Sequence, residues 1–294
     1  MGKIILQLGE GNLLVEGYNH TMQKVRLDLL LVERGMAESR SKAQALVMAG
    51  QVRVEGQVEL KASTAVPAEA RLDLDSGPRF VSRGGEKLEA ALTAFPLEVG
   101  GKVCADVGSS TGGFVDCLLQ HGAAKIIAID VGKGLLHWKL RTDPRLVVME
   151  GTNARFVERL PEAVSLVTMD ASFISLKVLL PVVNGWFAPV SSVKTPDQKG
   201  EDPAGDVVAL VKPQFEAGRE ETARSRGVIR DPLIHEAVLL DVLTFSQGLG
   251  YSLRGLIRSP LLGPKGNVEF LAWLRWGEAS QSDIPQEVRR VLGA

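Results

Sequence analysis

Asp106-Val107-Gly108-Ser109-Ser110-Thr111-Gly112-Gly113-Phe114 joins an apolar run to a helical pattern, and its reading decides the fold. Lys102 to Val107 reads as a strand and Phe114 to Gln120 as a helix, so the glycines fall in the turn between them. Glycine at such a turn lets backbone amides and a ligand approach closely, at the carboxyl edge of a sheet where ligands bind. The turn is neither the dinucleotide fingerprint Gly-x-Gly-x-x-Gly nor a Walker loop, because no Lys-Ser/Thr follows the last glycine. By itself it fits a plain strand–helix junction as well as a ligand loop.

Further along, apolar runs of strand length recur at Lys125 to Val131, Leu146 to Glu150, Ser165 to Asp170 and Asp206 to Lys212. Helical stretches such as Ser175 to Trp186 and Pro232 to Gln247 lie among them, and two late strands, Tyr251 to Arg258 and Val268 to Trp276, close the series. This alternation predicts an α/β fold, with a parallel sheet covered on both faces. Pro189 to Gly205, rich in Ser, Lys, Pro, Asp and Gly, reads as an exposed loop. Ahead of this region, Arg26 to Gly35 reads as a short amphipathic helix stopped by glycine, and Ser39 caps a second helix, Arg40 to Ala49. Gln51 to Gly56 and Ala70 to Asp75 read as strands, and the breaker cluster Ser76-Gly77-Pro78 marks a boundary. The expected organisation is a loose extension over 1–21, a small α+β domain over 22–80, the α/β domain over 81–277 and a tail over 278–294.

The 294 residues suffice for one large and one small domain, and 45% hydrophobic with 23% charged residues is ordinary globular composition. A net charge of −1 announces no global field for nucleic acid, so any such binding must rest on a local patch. Cys104 and Cys117 sit in apolar stretches and read as reduced core residues. No apolar run approaches the roughly 20 residues of a membrane helix, and the N-terminal pattern is unlike a secretory signal, so a cytoplasmic protein is expected. His20, His121, His137 and His235 are scattered, and no metal site is expected.

Several residues at strand ends carry chemistry. Asp130 ends the second strand about 20 residues after the glycine turn, where a carboxylate can accept hydrogen bonds from a ribose diol. Nothing basic lines the turn, so the pair points to a nucleoside ligand without pyrophosphate, which S-adenosylmethionine fits. Asn153, after the third strand, suits an adenine contact or a simple turn equally. Asp170 ends the fourth strand and either faces a site or caps the following helix. Lys212, directly after Val-Val-Ala-Leu-Val, is costly unless solvated or paired, and is expected in a polar cleft. Glu269 reads as a charge inside an apolar strand, and Lys87 as a helix lysine before the first strand.

The ordered set Lys87, Asp170, Lys212, Glu269 resembles the Lys-Asp-Lys-Glu tetrad of the FtsJ-like ribose 2′-O-methyltransferases. Val-Ser-Arg-Gly-Gly-Glu-Lys-Leu, the glycine turn, Met-Asp-Ala-Ser-Phe-Ile-Ser-Leu and Leu-Val-Lys-Pro-Gln-Phe-Glu resemble the TlyA branch in particular. That branch carries a front domain like ribosomal protein S4, which Arg26-Leu-Asp, Ser39-Arg-Ser-Lys-Ala and Ala49-Gly-Gln-Val-Arg-Val resemble. The resemblance spans about residues 24–277. It implies a Rossmann-like seven-stranded methyltransferase sheet, mostly parallel with the last strand antiparallel, behind a small S4-like α+β domain. It further implies S-adenosylmethionine as cofactor and a cytidine ribose of ribosomal RNA, free or in subunits, as substrate. The implied catalytic set is Lys87, Asp170, Lys212 and Glu269. The implied cofactor set is Asp106, Gly108, Ser109, Ser110, Thr111, Gly112, Gly113, Phe114, Asp130, Asn153 and Asp170. Arg26, Arg40, Lys42, Arg53 and Arg83 are the expected RNA contacts, with Arg40 and Lys42 at the start of a helix whose amides add to an anion site.

By this resemblance Lys212 deprotonates or polarises the 2′-hydroxyl. A lysine accepts a proton near neutrality only where burial or a nearby positive charge lowers its pKa from about 10.4, so the two roles stay open. Two other classes compete: a non-catalytic RNA-binding assembly factor on the same fold, and a membrane-active haemolysin, a label some relatives carry. The complete tetrad argues against the first. The missing spanning segment argues against the second.

Overall fold

A computed structural model describes residues 23–75, 77–187, 204–277 and 282–293. The expected N-terminal extension and nearly all of the Pro189–Gly205 loop lie outside the described residues. The chain forms two compact units, divided between Gly77 and Pro78.

In the first unit β1 (Lys24–Arg26), α1 (Leu27–Glu33), α2 (Arg40–Met48), β2 (Val52–Val54), β3 (Gln57–Val58), β4 (Ala65–Pro67) and β5 (Leu72–Leu74) follow in order. β1 pairs with β4, and β2 lies between β3 and β5. Leu27, Leu31, Ala43, Val47 and Val52 form its core. Asp28 is wholly buried in that unit. It accepts from Arg26 through Nε and Nη2 (3.0 and 2.9 Å), from Arg40 Nε (2.9 Å) and from Gln44 Nε2 (2.9 Å). These donors stabilise the ionised form and hold the Asp28 carboxyl well below the usual range. Ser39 caps α2 by accepting from the Lys42 amide at 3.2 Å.

The second unit contains α3 (Gly84–Ala94), β6 (Val103–Val107), α4 (Gly113–Gln120), β7 (Lys125–Asp130), α5 (Trp138–Arg141), β8 (Leu146–Glu150), β9 (Leu166–Met169) and α6 (Leu176–Val183). It continues through β10 (Gly205–Val211), α7 (Pro213–Glu216), α8 (Arg219–Arg224), α9 (Pro232–Gly248), β11 (Tyr251–Arg258), β12 (Phe270–Trp276) and α10 (Ile284–Leu292). Seven strands lie in the order β11-β12-β10-β9-β6-β7-β8. β12, the last strand in the chain, runs antiparallel to both neighbours, and the pairs from β10 to β8 are parallel, as the resemblance implied. Alternating residues feed two cores. One joins Ala105, Ile127, Val167 and Val207 to α6, α9 and α10, and the other joins Cys104, Ile126, Leu166 and Val208 to α3 and α4.

Strand order reverses between β6 and β9, so the connections after them diverge and leave a crevice at their carboxyl ends. At the opposite edge Asp206 is buried and saturated. It accepts from Lys102 Nζ (3.3 Å), Arg275 Nη1 (2.8 Å) and the Trp273 indole (2.8 Å).

Three details differ from the sequence reading. Glu269 precedes β12 instead of lying inside it. The helix from Ser175 stops at Val183, two residues past Pro181, and a 3-10 turn covers Asn184–Trp186. The expected tail carries α10, capped by Asp283, which buries Ile284 and Val288. Among the described residues no helix is long and apolar enough to cross a membrane.

Candidate functional site

The crevice holds a cavity of about 300 Å³. Its floor is the turn after β6, where Gly108 has φ +82°, and a Cβ there would sit 2.7 Å from the Asp170 carbonyl oxygen. Only glycine lets the turn lie so close to the β9 exit. A Cβ on Gly113 would come 2.8 Å from the Gly85 amide nitrogen, so the amino ends of α4 and α3 also pack backbone to backbone. That approach brings Lys87, one turn into α3, to the cavity.

Two lysine–carboxylate pairs line this space. Lys212 Nζ lies 2.6 Å from Asp170 Oδ1 and donates to Ser172 Oγ at 3.1 Å. Lys87 Nζ lies 2.5 Å from Glu269 Oε2, and Gln214 Nε2 donates to Glu269 Oε1 at 3.4 Å. Lys212 is only 6% and Glu269 only 1% exposed. Charges so desolvated persist only when paired, which each of these is. The second pair joins residues 182 positions apart. All four tetrad residues thus converge on one cavity, together with Arg83, Ser109, Ser110, Thr111, Gly113 and Phe114.

The remaining expected cofactor residues fall beside or behind the cavity. Asp130 Oδ2 accepts from the Ser110 amide and Oδ1 from the Gly132 amide, each at 2.7 Å, so it ties the glycine turn to the end of β7. Gly112, at φ +96°, caps α4. Asp106 is fully buried under the turn, where Thr168 Oγ1 donates to Oδ1 at 2.6 Å and Oδ2 has no partner among the described residues. Burial pushes its carboxyl up to about 7, with the nearby Asp170 and Asp130 carboxylates adding to the rise. Asn153 Oδ1 accepts from the Arg155 amide at 3.2 Å, the turn-capping arrangement, and the residue does not line the cavity.

In the first unit, Arg26 and Arg40 are engaged with Asp28, while their side chains stay 42% and 54% exposed. Lys42 is exposed, and exposed Arg53 donates to the Gly56 carbonyl at 3.4 Å. Among the described residues no cluster of three metal-ligating side chains occurs.

Several residues at the site went unnoticed in the sequence. Phe173 is 91% exposed and holds φ +63°, an uncommon conformation for an aromatic residue. Its ring centroid lies 5.0 Å from that of Phe215, and Lys212 Nζ lies 5.7 Å from the Phe215 centroid. Gly263 is forced by Glu269, because a Cβ there would meet Oε1 at 2.1 Å. The signal available was local: Phe173 follows Asp170 by three residues, and Phe215 follows Lys212 by three.

Residues 80–276 match the model for FtsJ-like methyltransferases, and residues 25–72 match the S4 domain. The chain is 44% identical to the 16S/23S rRNA (cytidine-2'-O)-methyltransferase TlyA of Mycobacterium tuberculosis, over 86% of this chain and 90% of that protein. It is 37% identical to Hemolysin A of Brachyspira hyodysenteriae, over 84% of this chain and 98% of that one. A solved Streptococcus thermophilus structure under a hemolysin label is 40% identical, with TM-score 0.66, over 93% of this chain and 96% of its own.

Proposed function

Because this chain belongs to the FtsJ-like methyltransferases and carries an S4 domain ahead of that module, we propose that it 2′-O-methylates a cytidine ribose in ribosomal RNA. The observation that carries the reading is the pairing of Lys212 with Asp170 and of Lys87 with Glu269 around one cavity beside the glycine turn. S-adenosylmethionine is the cofactor of this reading, and when bound it supplies the electrophilic methyl group. The residues present fit it. Gly108 and Gly113 let the turn, the β9 exit and the start of α3 pack closely around the cavity, the first amides of α4 suit a carboxylate, and Asp106 Oδ2 is a buried acceptor without a partner among the described residues. Asp130 would hold the ribose diol, exchanging one backbone amide for it.

Methyl transfer to a hydroxyl needs placement and loss of a weakly acidic proton, and placement alone can supply roughly 7–11 kcal/mol of barrier reduction. Lys212 holds the 2′-oxygen and either accepts its proton or stabilises the negative charge that develops as the proton leaves to solvent, while Asp170 and Ser172 fix the amine. Lys87, held by Glu269, which also accepts from Gln214, adds positive charge to the same wall. Phe173, exposed beside Asp170, is the platform on which an unstacked acceptor base would lie, a contact worth about 1–3 kcal/mol per base. Arg83, Lys42, Arg53 and the outward faces of Arg26 and Arg40 are the proposed phosphate contacts, which set position and not sequence.

Calorimetry with S-adenosylmethionine, followed by methyl transfer to naked rRNA and to intact subunits with nucleoside analysis, tests the reading. We expect cofactor binding and 2′-O-methylcytidine in at least one RNA substrate. Cofactor binding without transfer to either would favour a non-catalytic assembly factor, and methylation of a base would overturn the assignment.

A further inference from the structure

The loop Asp170–Ser175 connects β9 to α6 and carries Asp170, Ser172 and Phe173. Its backbone is not self-sustaining, since Phe173 holds a left-handed conformation that is strained for a non-glycine residue. Neighbouring contacts must therefore fix it. At its start the Asp170 amide donates to the Val107 carbonyl at 2.9 Å, and Lys212 engages Asp170 and Ser172. At its far end Glu216 takes both exits. Ser175 Oγ donates to Glu216 Oε2 at 2.5 Å, and the Leu176 amide donates to Oε1 at 2.8 Å.

A carboxylate is not needed there merely to begin α6. Ser175 already caps that helix, its Oγ accepting from the Lys177 amide at 3.1 Å. Glu216 lies about 40 residues further along the chain, on α7, which begins directly after Lys212. The five residues Lys212–Glu216 thus touch the loop three times: Lys212 at Asp170, Phe215 at Phe173, and Glu216 at Ser175. Most of the Glu216 carboxyl is removed from water, which pushes its pKa up against the two donors, so its placement is costly as well as specific.

We propose that Glu216 is a positioning residue for methyl transfer, holding the Asp170–Ser175 loop so that Asp170 and Phe173 present a fixed wall to the acceptor nucleotide. The inference rests on the reading of function above. Glu216 touches neither Lys212 nor the cavity and acts through the loop.

The test uses the full chain with Glu216→Ala, Glu216→Gln, Phe173→Ala and the double variant Phe173→Ala/Glu216→Ala. Melting temperature, S-adenosylmethionine affinity and single-turnover methyl transfer at saturating rRNA are read for each. In Glu216→Ala the rate should fall roughly ten- to a hundredfold, the scale of a misplacement of about 1 Å, with cofactor affinity unchanged. Glu216→Gln should recover most of it, because its amide oxygen still accepts from Leu176 and its amide nitrogen can donate to Ser175. In the Phe173→Ala background Glu216→Ala should cost far less, since both act through one loop. Rates of folded Glu216→Ala equal to wild type, or losses that multiply independently in the double variant, would overturn the role. Should Glu216→Ala fail to fold, Ser175→Ala, which removes one of the two bonds, carries the same expectation at several-fold, and an unchanged rate there overturns it too. A wild-type chain that methylates no RNA would instead sink the reading of function itself.

Discussion

The two edges of the central sheet both bury charge, and they treat it differently. At the amino edge Asp206 is enclosed by Lys102, Arg275 and the Trp273 indole, and it is Arg275 and Trp273, not Asp206, that line the neighbouring cavity. At the carboxyl edge Asp170, Lys212, Lys87 and Glu269 are also paired, yet each lines an open cavity beside a glycine turn. The pairing chemistry is alike at both edges. What separates the two clusters is access: under the proposed function only the second could exchange a protein partner for a substrate atom. Asp28 in the first unit belongs with Asp206, a buried carboxylate whose four donor contacts hold elements together.

The largest expected effect lies at the carboxyl edge. Lys212→Ala should lower single-turnover methyl transfer by about 10²–10⁴-fold, the range of a lost general acid–base or charge-stabilising group, with S-adenosylmethionine affinity retained. Lys212→Arg keeps the charge but accepts no proton at neutral pH, so substantial activity there would leave an electrostatic role only. Near-normal activity in Lys212→Ala would erase the distinction between the edges.

An intermediate effect is expected at the amino edge, on stability alone. Asp206→Ala removes the carboxylate that Lys102 and Arg275 share, and their side chains are 26% and 30% exposed and so partly solvated. Chemical denaturation should register a loss of about 2–3 kcal/mol, below the 3–5 typical of a fully buried pair. The folded variant should keep its single-turnover rate, and a parallel loss of rate would show the two edges to be coupled.

The last test concerns Asp106, buried like Asp206 but with one carboxyl oxygen lacking a partner among the described residues. Burial pushes its folded carboxyl up to about 7, well above the ordinary 3.8, so the folded state holds the proton more tightly. That contribution favours folding below about pH 4, declines as pH rises towards 7, and is flat above. Without cofactor, the stability of wild type relative to Asp106→Asn should therefore fall between pH 5 and 7. A gap that stays constant across that window would mean that Asp106 is ionised throughout.

The sheet was legible because its strands are apolar runs with sharp ends. Leu146–Glu150 and Tyr251–Arg258 match the sequence reading residue for residue, and the others differ by one or two positions at an end. Short strands such as Gln57–Val58 carry too few residues for a period and were missed. The helix Ile284–Leu292 carries its own signals in Asp283, Ile284 and Val288, but it lies beyond the family motifs, so the resemblance says nothing of it. At the site Asp170 and Lys212 stand out, since charge at the end of an apolar strand is conspicuous, while Lys87 on its helix gains meaning only through the family resemblance. Glu216 and Phe173 did not, because a glutamate on a polar turn and an aromatic after a strand look ordinary until their partners are known. Arg40 shows the converse. A basic residue opening a helix suggested phosphate, while its bond to Asp28, twelve positions earlier, depends on how α1 and α2 fold back.

The placement of β12 gives the site a position in time. β10 and β11 are joined only through that strand, which is the last of the sheet to be synthesised and must enter between two neighbours already made. Glu269 arrives with it, immediately before Phe270, and only then does Lys87 gain its counter-ion from 182 residues away. A nascent chain that has folded β6 to β9 and presents a finished glycine turn still lacks one wall of its cavity. Contacts so distant in sequence form late, after the local ones. A chain cut ahead of Glu269 and β12 would therefore lack that residue and, with it, the ion pair that closes the proposed site around Lys87.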